Sequence, residues 1–287
     1  MISQLTYAVR YVLGKVVAGR NFTVFPDDTF LVSYPKSGST WSRFLLAALV
    51  HPDEEVSFAN IDRLLPAAST APKRYLNQYP RPRLIKSHEY FDARYQNVIY
   101  VVRDPRDVVL SQYRFFRKRG TIEDGYSMDR FVTRFLAGNL NTFGSWGENV
   151  GTWLVAQHGT KRFLLLRYED MLRDTAQELA KVADFLKMQV SPGHFARCVE
   201  QGSADRMREL EKKQSDEWVV TKGRRKDLPF VGAAKAGGWK SGLSPEHIAQ
   251  IEAAWGPLMR HLGYDLISGQ AQTESKTLEA ILGQPSR

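Results

Sequence analysis

Four short apolar runs divide the chain, and polar or turn-forming residues bound each of them. They cover residues 29–34, 82–86, 97–102 and 163–167. Apolar residues are continuous within each run rather than alternating, which is typical of parallel strands covered by helices on both faces. The pattern therefore predicts an α/β fold, a single domain with a central parallel sheet flanked by helices.

Apolar residues recur at helical spacing between and after these runs. Predicted helices cover residues 40–50, 105–118, 127–138, 145–158, 175–187, 193–200 and 245–262. Residues 214–242 are rich in Gly, Lys and Arg and have no period, so we predict a long loop. A loop of that length in a compact domain is usually functional or disordered.

The two ends of the chain differ from the domain, which we predict at residues 28–267. Apolar residues from Ile2 to Val17 recur at helical spacing with Arg and Lys between them. They predict an amphipathic helix within a lead-in over residues 1–27, docked on the domain or lying on a membrane surface. Residues 268–287 are polar and predict a mobile tail.

The net charge of the chain indicates which kind of partner it binds. The 287 residues carry a net charge of +9, and the sequence pI is about 9.6, which favours an anionic partner. The basic residues are dispersed and no nucleic-acid motif is present, so a focused anion site is favoured over nucleic acid. A single cysteine, Cys198, excludes an internal disulfide and fits a reducing, cytoplasmic location.

A first candidate anion site follows the first apolar run. The turn at residues 35–38 leads into a predicted helix for which Ser39 and Thr40 are suitable N-caps. Backbone amides and the positive helix end would point at one spot, which suits a phosphate or sulfate. The side chains that can add to it are Lys36, Ser37, Ser39 and Thr40. The Walker A order is absent, since the lysine precedes the glycine; an ordinary βα turn is the alternative.

Two further candidate sites follow other predicted strands. Arg103 ends the strand at 97–102, at the sheet edge where open α/β sheets bind ligands, and Asp104 and Pro105 suit the start of the next helix. Ser111 lies two turns along that helix, of which Arg106 and Asp107 could alternatively form a solvated face. His88 follows the strand at 82–86 and can act as a general base beside Lys86.

Together these segments resemble the cytosolic-type sulfotransferase family, whose members use 3′-phosphoadenosine 5′-phosphosulfate. Residues 34–41 look like the family's 5′-phosphosulfate loop, 86–88 like its catalytic Lys-Thr/Ser-His segment and 103–111 like its 3′-phosphate motif. Further matches lie at 144–146, 166–171 and 237–240. The resemblance spans roughly residues 28–262 and implies a P-loop-kinase-like sulfotransferase fold.

The resemblance implies a role for each candidate residue. His88 would take the proton of the acceptor, Lys36 would stabilise the leaving phosphate, and Lys86 would hold the sulfonyl oxygens. No metal is required, and the released product is adenosine 3′,5′-bisphosphate. The residues that would hold the nucleotide are Lys36, Ser37, Gly38, Ser39, Thr40, Trp41, Arg103, Ser111, Tyr168 and Lys235.

Two departures from the family pattern concern the donor site. Gly232-Ala233-Ala234 stands where the family has Arg-Lys-Gly, so two positive charges that clamp the 3′-phosphate are missing. Each such contact is typically worth about 1.5–3 kcal/mol. Lys235, or Arg224 and Arg225, are candidates to compensate for them. Ala204 stands where the family often has a phenylalanine that stacks on adenine.

The acceptor is predicted to be a small molecule with a hydroxyl group or, less favoured, an amine. Its pocket is predicted to be aromatic and so to suit a phenol, sterol or other lipophilic alcohol. Glu89, next to the predicted base, favours a polar or cationic group near the reacting atom. The aromatic candidates are Tyr90, Phe91, Phe115, Phe116, Tyr126 and Phe143. A nucleotide-binding module without turnover and a phosphotransferase are alternative functions, and the oligomeric state is left open.

Overall fold

A four-stranded parallel sheet organises the protein, as a computed structural model shows for residues 13, 15–157 and 159–268. The strands lie in the order β2-β1-β3-β4, which confirms the predicted single α/β domain with a parallel sheet. Val32 of β1 pairs with Ser87 of β2 and with Tyr100 of β3, so the carboxyl ends of these strands meet at one edge. The strands are β1 Thr29–Val32, β2 Leu84–Ser87, β3 Asn97–Val102 and β4 Phe163–Arg167.

Two hydrophobic cores cover the two faces of the sheet. Phe30, Val32 and Tyr100 point into one core, whereas Leu31 and Ile99 point into the other. This alternation explains why the strand sequences are apolar throughout. The helices are α1 Ser39–Val50, α2 Ile61–Leu64, α3 Lys73–Gln78, α4 Pro105–Arg119, α5 Met128–Leu136, α6 Trp146–Gln157, α7 Tyr168–Arg173, α8 Thr175–Phe185, α9 Pro192–Gln201, α10 Ala204–Gln214, α11 Trp239–Gly242 and α12 Pro245–His261.

Five helices were not predicted. Four of them (α2, α3, α7 and α11) contain only four to six residues, which is too short for a helical period to show. The fifth, α10, is rich in charged residues and buries only Met207 and Glu211, so it has no apolar stripe. The predicted loop at 214–242 is irregular up to α11.

The two ends of the chain lie largely outside the described residues. Most of the predicted N-terminal helix and nearly all of the predicted tail fall there, so both stay predictions. Residues 15–20 are irregular, and Val17 forms an antiparallel bridge with Pro72. None of the described helices combines the length and hydrophobicity needed to span a membrane.

Candidate active site

Two adjoining cavities open at the carboxyl edge of the sheet. The larger has a volume of about 650 Å³ and the smaller about 350 Å³. Lys36, Lys86 and His88 line both cavities, so they lie where the two spaces meet. They follow or end the adjacent strands β1 and β2, and the parallel pairing of these strands brings together side chains that are about fifty residues apart in the sequence.

The turn between β1 and α1 brings backbone amides to the larger cavity. Gly38 has a φ of 97° and caps α1, so the helix starts one residue earlier than predicted and Ser39 is its first residue. A Cβ at Gly38 would lie 2.5 Å from a ring atom of Tyr168, so glycine is needed for this close approach. Of the predicted residues here, Lys36, Gly38, Ser39, Thr40 and Trp41 line the cavity.

Ser37 differs from its neighbours. It does not line either cavity, although its side chain is fully buried. Within the described part of the chain, its hydroxyl oxygen has no hydrogen-bond partner. The Ser37 hydroxyl therefore does not face either cavity, and its contact with the anion stays a prediction.

Lys36 has an aromatic environment. Its ammonium lies 4.5 Å from the centre of the Phe115 ring and 4.4 Å from that of Phe230. Burial, followed by the nearby charge of Arg103, lowers the pKa of Lys36 to about 8. The backbone at Lys36 is also left-handed, with a φ of 71°, which is uncommon for a residue other than glycine. An anion bound at the β1–α1 turn would therefore stabilise the charged form of Lys36.

The orientation of His88 is set by one hydrogen bond. Its Nδ1 lies 2.6 Å from the carbonyl oxygen of Ser33, so Nδ1 carries the proton and donates it. In the neutral ring Nε2 then holds the lone pair, and no described residue forms a hydrogen bond with it. Burial, followed by the charge of Lys86, lowers the pKa of His88 well below its usual range. The imidazole is therefore neutral and able to accept a proton at neutral pH.

Lys86 is a buried lysine at the junction of the cavities. Only 6% of its surface is exposed, and its backbone N–H and carbonyl are held by Pro66 and Ala68. Burial, followed by the charge of Arg43, lowers its pKa well below the usual range. Arg43 itself is paired with Asp62 and with the carbonyl of Leu65, so it is structural although it lines the larger cavity.

Arg103 contacts two other residues that were predicted to bind the nucleotide, Tyr168 and Lys235. Its guanidinium lies 4.2 Å from the centre of the Tyr168 ring and donates a 3.3 Å hydrogen bond to the carbonyl of Lys235. Tyr168 also contacts Trp41, with ring centres 5.4 Å apart. Arg103, Ser111, Tyr168 and Lys235 all line the larger cavity, so they surround one space with the β1–α1 turn.

The start of α4 is tied to the loop that precedes α11. Asp104 caps α4 as predicted, with its carboxylate accepting from the N–H of Arg106. Asp107 accepts from the N–H groups of Gly237, at 2.8 Å, and Trp239, at 3.0 Å. Arg106 and Asp107 are only 1% and 4% exposed, so the alternative of a solvated helix face is wrong. These residues position the loop rather than face solvent.

The loop in place of Arg-Lys-Gly forms one wall of the larger cavity. Gly232, Ala233 and Ala234 line it without charge, and Ala234 has a φ of 50° where the family has glycine. Of the candidates to compensate, Lys235 lines this cavity but Arg224 lines only the smaller one. Arg225 lines neither and is paired with Asp124 and Asp227.

Helix α4 separates the two cavities. The side chains of Asp107, Leu110, Ser111 and Arg114 form one stripe, which lines the larger cavity. Phe115 lines both cavities. A second stripe, Gln112, Phe116 and Arg119, lines the smaller cavity. Arg114 and Arg119 were not predicted. Arg114 lies three residues after Ser111 on the predicted helix, so its spacing places it on the first stripe. Arg119 lies one residue beyond the predicted end of that helix.

The smaller cavity is partly aromatic. Of the predicted aromatic residues, Phe115, Phe116 and Phe143 line it, together with Leu140 and Asn141. Tyr90 instead contacts Arg20, Phe91 packs on Trp153 and Tyr126 packs on Phe131. Glu89 lines neither cavity and forms an ion pair with Arg20 at 3.7 Å. Its side chain therefore does not form the expected subsite for a polar or cationic group of the acceptor.

Metal ligands are not grouped in the described part of the chain. No cluster of three or more His, Cys, Asp and Glu side chains there could hold a metal ion. The Lys and Arg side chains that line the larger cavity are Lys36, Arg43, Lys86, Arg103, Arg114 and Lys235.

Comparison with known proteins identifies the family. Residues 26–263 match the model described as the sulfotransferase domain. Sulfotransferase 2A6 of Mus musculus is 29% identical over 246 residues, which cover 81% of this chain and 83% of that protein. A 3-alpha-hydroxysteroid sulfotransferase of Cavia porcellus is 30% identical over 201 residues, covering 66% of this chain and 69% of the relative.

Solved structures agree on the fold. The crystal structure of mouse sulfotransferase SULT7A1 complexed with PAP matches with a TM-score of 0.67 at 23% identity, over 86% of this chain and 89% of that one. A retinol dehydratase complexed with androsterone and PAP also gives a TM-score of 0.67, at 21% identity, over 90% and 87% of the two chains. Because the domain match covers most of the chain, this protein belongs to the sulfotransferase family and is an enzyme that transfers a sulfonyl group to a small acceptor.

Proposed function

We propose that this enzyme transfers the sulfonyl group of 3′-phosphoadenosine 5′-phosphosulfate to a hydroxyl group of a small lipophilic or aromatic acceptor. The observation that carries the proposal is the meeting of two cavities at Lys36, Lys86 and His88. A group-transfer enzyme needs a space for each substrate and catalytic groups between them. Two of the related structures were solved with PAP, and one relative is named for a hydroxysteroid, which supports this assignment of donor and acceptor.

The larger cavity fits an anionic nucleotide. Lys36, Arg103, Arg114 and Lys235 line it, whereas Asp107 is its single acidic lining residue within the described chain. The Nε of Arg103 is buried without a hydrogen-bond partner in the described structure, as expected where a ligand supplies the acceptor. We assign the 5′-phosphosulfate to the turn at residues 36–40.

The 3′-phosphate and the adenine occupy the far part of the same cavity. We assign the 3′-phosphate to Arg103, Ser111 and Lys235, and we add Arg114, which lies one helical turn beyond Ser111. Trp41 and Tyr168 line the cavity as aromatic surfaces for the adenine, while Ala204 offers no stacking surface on its side. The positive charge absent at residues 232–234 is thus partly replaced from helix α4.

The catalytic groups act on one proton and one leaving oxygen. Nε2 of His88 takes the proton of the acceptor hydroxyl as its oxygen bonds to sulfur. The bond from sulfur to the bridging oxygen breaks, and the electron pair stays on the phosphate. Lys36 stabilises the charge that grows there, so its effect is larger in the transition state than in the ground state. Lys86 holds the sulfonyl oxygens, and the proton leaves His88 after the product departs.

The location of the enzyme is proposed on the same comparisons. One Danio rerio relative, 25% identical over 259 residues, is named cytosolic sulfotransferase 1, which supports the predicted cytoplasmic location. Contact of the N-terminal segment with a membrane surface stays a prediction, because that segment lies largely outside the described residues.

Replacement of His88 by alanine tests the function. We expect transfer to a panel of phenols and hydroxysteroids to fall by about 10²- to 10⁴-fold, while calorimetric binding of adenosine 3′,5′-bisphosphate is retained. His51→Ala is the matched control, since His51 lines neither cavity. If His88→Ala transferred the sulfonyl group as fast as the wild-type protein, His88 would not be the general base. Failure of the wild-type protein to prefer the bisphosphate over 5′-AMP and ATP would contradict the donor.

A further inference from the structure

The smaller cavity carries more positive charge than a pocket for a neutral lipophilic alcohol needs. Its lining includes Arg119 and Arg224 in addition to Lys36 and Lys86, and no Asp or Glu of the described chain lines it. The rest of the lining is apolar or neutral, with Phe116, Leu140 and Phe143 among it. Such a surface suits a molecule that is apolar along its length and negatively charged at one end.

The two arginines lack the carboxylate partners that their neighbours have. Arg117 pairs with Asp124, and Arg225 pairs with Asp124 and Asp227. Neither Arg119 nor Arg224 forms an ion pair with any residue between 15 and 268 whose position is described. The guanidinium of Arg119 lies 5.6 Å from the centre of the Phe115 ring.

One of these guanidinium groups has a buried donor without a partner among the described residues. The Nε of Arg224 is buried and has no hydrogen-bond partner in the described structure. Arg119 and Arg224 line the same cavity, and burial, followed by the charge of Arg224, lowers the pKa of Arg119. A bound anion would satisfy the buried N–H group and relieve the repulsion.

The distance between the arginines and the reacting centre follows from helix α4. Gln112 donates to the carbonyl of Pro35, at 3.2 Å, and so marks the end of the helix stripe beside Lys36. Arg119 lies seven residues further along the same stripe, which corresponds to about 10 Å at 1.5 Å per residue. An acceptor that reaches both ends would carry its charge at about that distance from its reacting hydroxyl.

We propose that the natural acceptor is an amphipathic alcohol or phenol that carries an anionic group, bound by Arg119 and Arg224, at the end away from the hydroxyl. The planar guanidinium groups match a carboxylate, sulfonate or phosphate in bidentate geometry. Phe116, Leu140 and Phe143 contact the apolar part of the acceptor, and its hydroxyl reaches Nε2 of His88. This inference rests on the proposed function in one respect, namely that the smaller cavity receives the acceptor.

The test compares acids with their methyl esters. A series of ω-(4-hydroxyphenyl)alkanoic acids of increasing chain length, and the matched esters, is titrated calorimetrically into the full-length protein with and without saturating adenosine 3′,5′-bisphosphate. At the optimal length we expect the acid to bind about 10- to 100-fold more tightly than its ester. Equal affinities of acid and ester at every chain length would overturn the proposal, whether or not turnover occurs.

Variants locate the charge preference. In Arg119→Gln/Arg224→Gln the ratio of ester to acid dissociation constants should fall to about one, because both guanidinium groups are lost. Arg117→Gln, which removes a paired arginine outside both cavities, should keep the wild-type ratio. An unchanged ratio in the double variant would show that Arg119 and Arg224 do not bind the anionic group. Tight acid binding without transfer to any member of the series would instead count against the proposed reaction and leave the anion site intact.

Discussion

The ammonium of Lys36 lies 4.4 Å from the centre of the Phe230 ring, although 194 positions separate the two residues in the sequence. Phe230 is held there through its backbone, because its N–H donates to the carboxylate of Glu211 at 2.6 Å. The same carboxylate accepts from Lys118 of α4 at 3.2 Å. The loop after α10 therefore forms part of the surroundings of Lys36 and shields it from water.

The shielding of Lys36 predicts how donor binding depends on pH. With a pKa of about 8, Lys36 is charged at pH 7 and loses its charge as the pH rises through 8. If the charged form of Lys36 binds the 5′-phosphate, as proposed, calorimetric affinity for adenosine 3′,5′-bisphosphate should weaken about fivefold between pH 8 and 9. An ordinary lysine, with a pKa near 10.4, would not produce a change there.

Two controls identify the group that titrates. Lys36→Arg should bind with no loss between pH 8 and 9, since a guanidinium stays charged there. On the acid side, the lowered pKa of His88 predicts that transfer persists below pH 6.5, because the imidazole stays neutral. Loss of activity at the usual histidine pKa, or alkaline weakening that survives in Lys36→Arg, would contradict the assignment.

Restoring the absent charges tests the altered loop. Gly232→Arg/Ala233→Lys should increase the affinity for adenosine 3′,5′-bisphosphate by at least about tenfold, since charge-assisted hydrogen bonds typically contribute about 1.5–3 kcal/mol. A Cβ at Gly232 would meet no atom within 4 Å, so the side chain can be accommodated. Affinity for 5′-AMP should change little.

The control variant adds polar side chains without charge. Gly232→Gln/Ala233→Gln should bind the bisphosphate like the wild-type protein when both are compared by calorimetry. Equal gains in the charged and uncharged variants would show that loop packing, rather than charge, had changed. No gain in the charged variant would show that these positions do not face the 3′-phosphate.

Asp107 is predicted to act as a positioning residue. It accepts from Gly237 and Trp239 and lies 3.8 Å from the guanidinium of Arg103, so it connects α4, the loop and the arginine to which we assign the 3′-phosphate. Asp107→Ala should weaken bisphosphate binding by about tenfold or more, because the loop loses two hydrogen bonds to a charged acceptor. Asp107→Asn, which retains one acceptor oxygen, should recover part of the affinity.

Bisphosphate affinity and the thermal midpoint of unfolding together distinguish a positioning role from a general loss of structure. Asp129→Ala removes a carboxylate that pairs with His247 elsewhere, and it should leave bisphosphate affinity unchanged. If Asp107→Ala lowered the thermal midpoint but bound the bisphosphate normally, Asp107 would be a stability residue only. If Asn gave no recovery relative to Ala, the hydrogen bonds to the loop would not be the cause.

The sheet and the residues at its carboxyl edge could be predicted because both depend on short stretches of sequence. Continuous apolar runs identify buried strands, and Lys36, His88 and Arg103 each follow or closely follow one of them. Parallel pairing then places all three at one edge. Local pattern and tertiary position therefore agree for these residues.

The remaining contacts of the site depend on long-range packing. Asp107 and Gly237 are 130 residues apart, and nothing in the residues near either one indicates the other. Arg225 looked available because basic residues surround it, but Asp124 neutralises it from another loop. Arg114, by contrast, could have been found by extending the spacing of Ser111 by three residues along the predicted helix.

Arg114 is predicted to carry part of the discrimination for the 3′-phosphate. It lines the donor cavity beside Ser111 and forms no ion pair within the described residues, so its guanidinium is available to a phosphate. Arg114→Gln should weaken binding of adenosine 3′,5′-bisphosphate by about tenfold and leave 5′-AMP nearly unaffected, so their affinity ratio falls. Arg117→Gln removes the same charge from the same helix, but Arg117 pairs with Asp124 and lines neither cavity. If both variants lowered the affinity ratio equally, Arg114 would act only through the net charge of the protein. If only Arg114→Gln lowered it, α4 would compensate for the charges that the loop at 232–234 lacks.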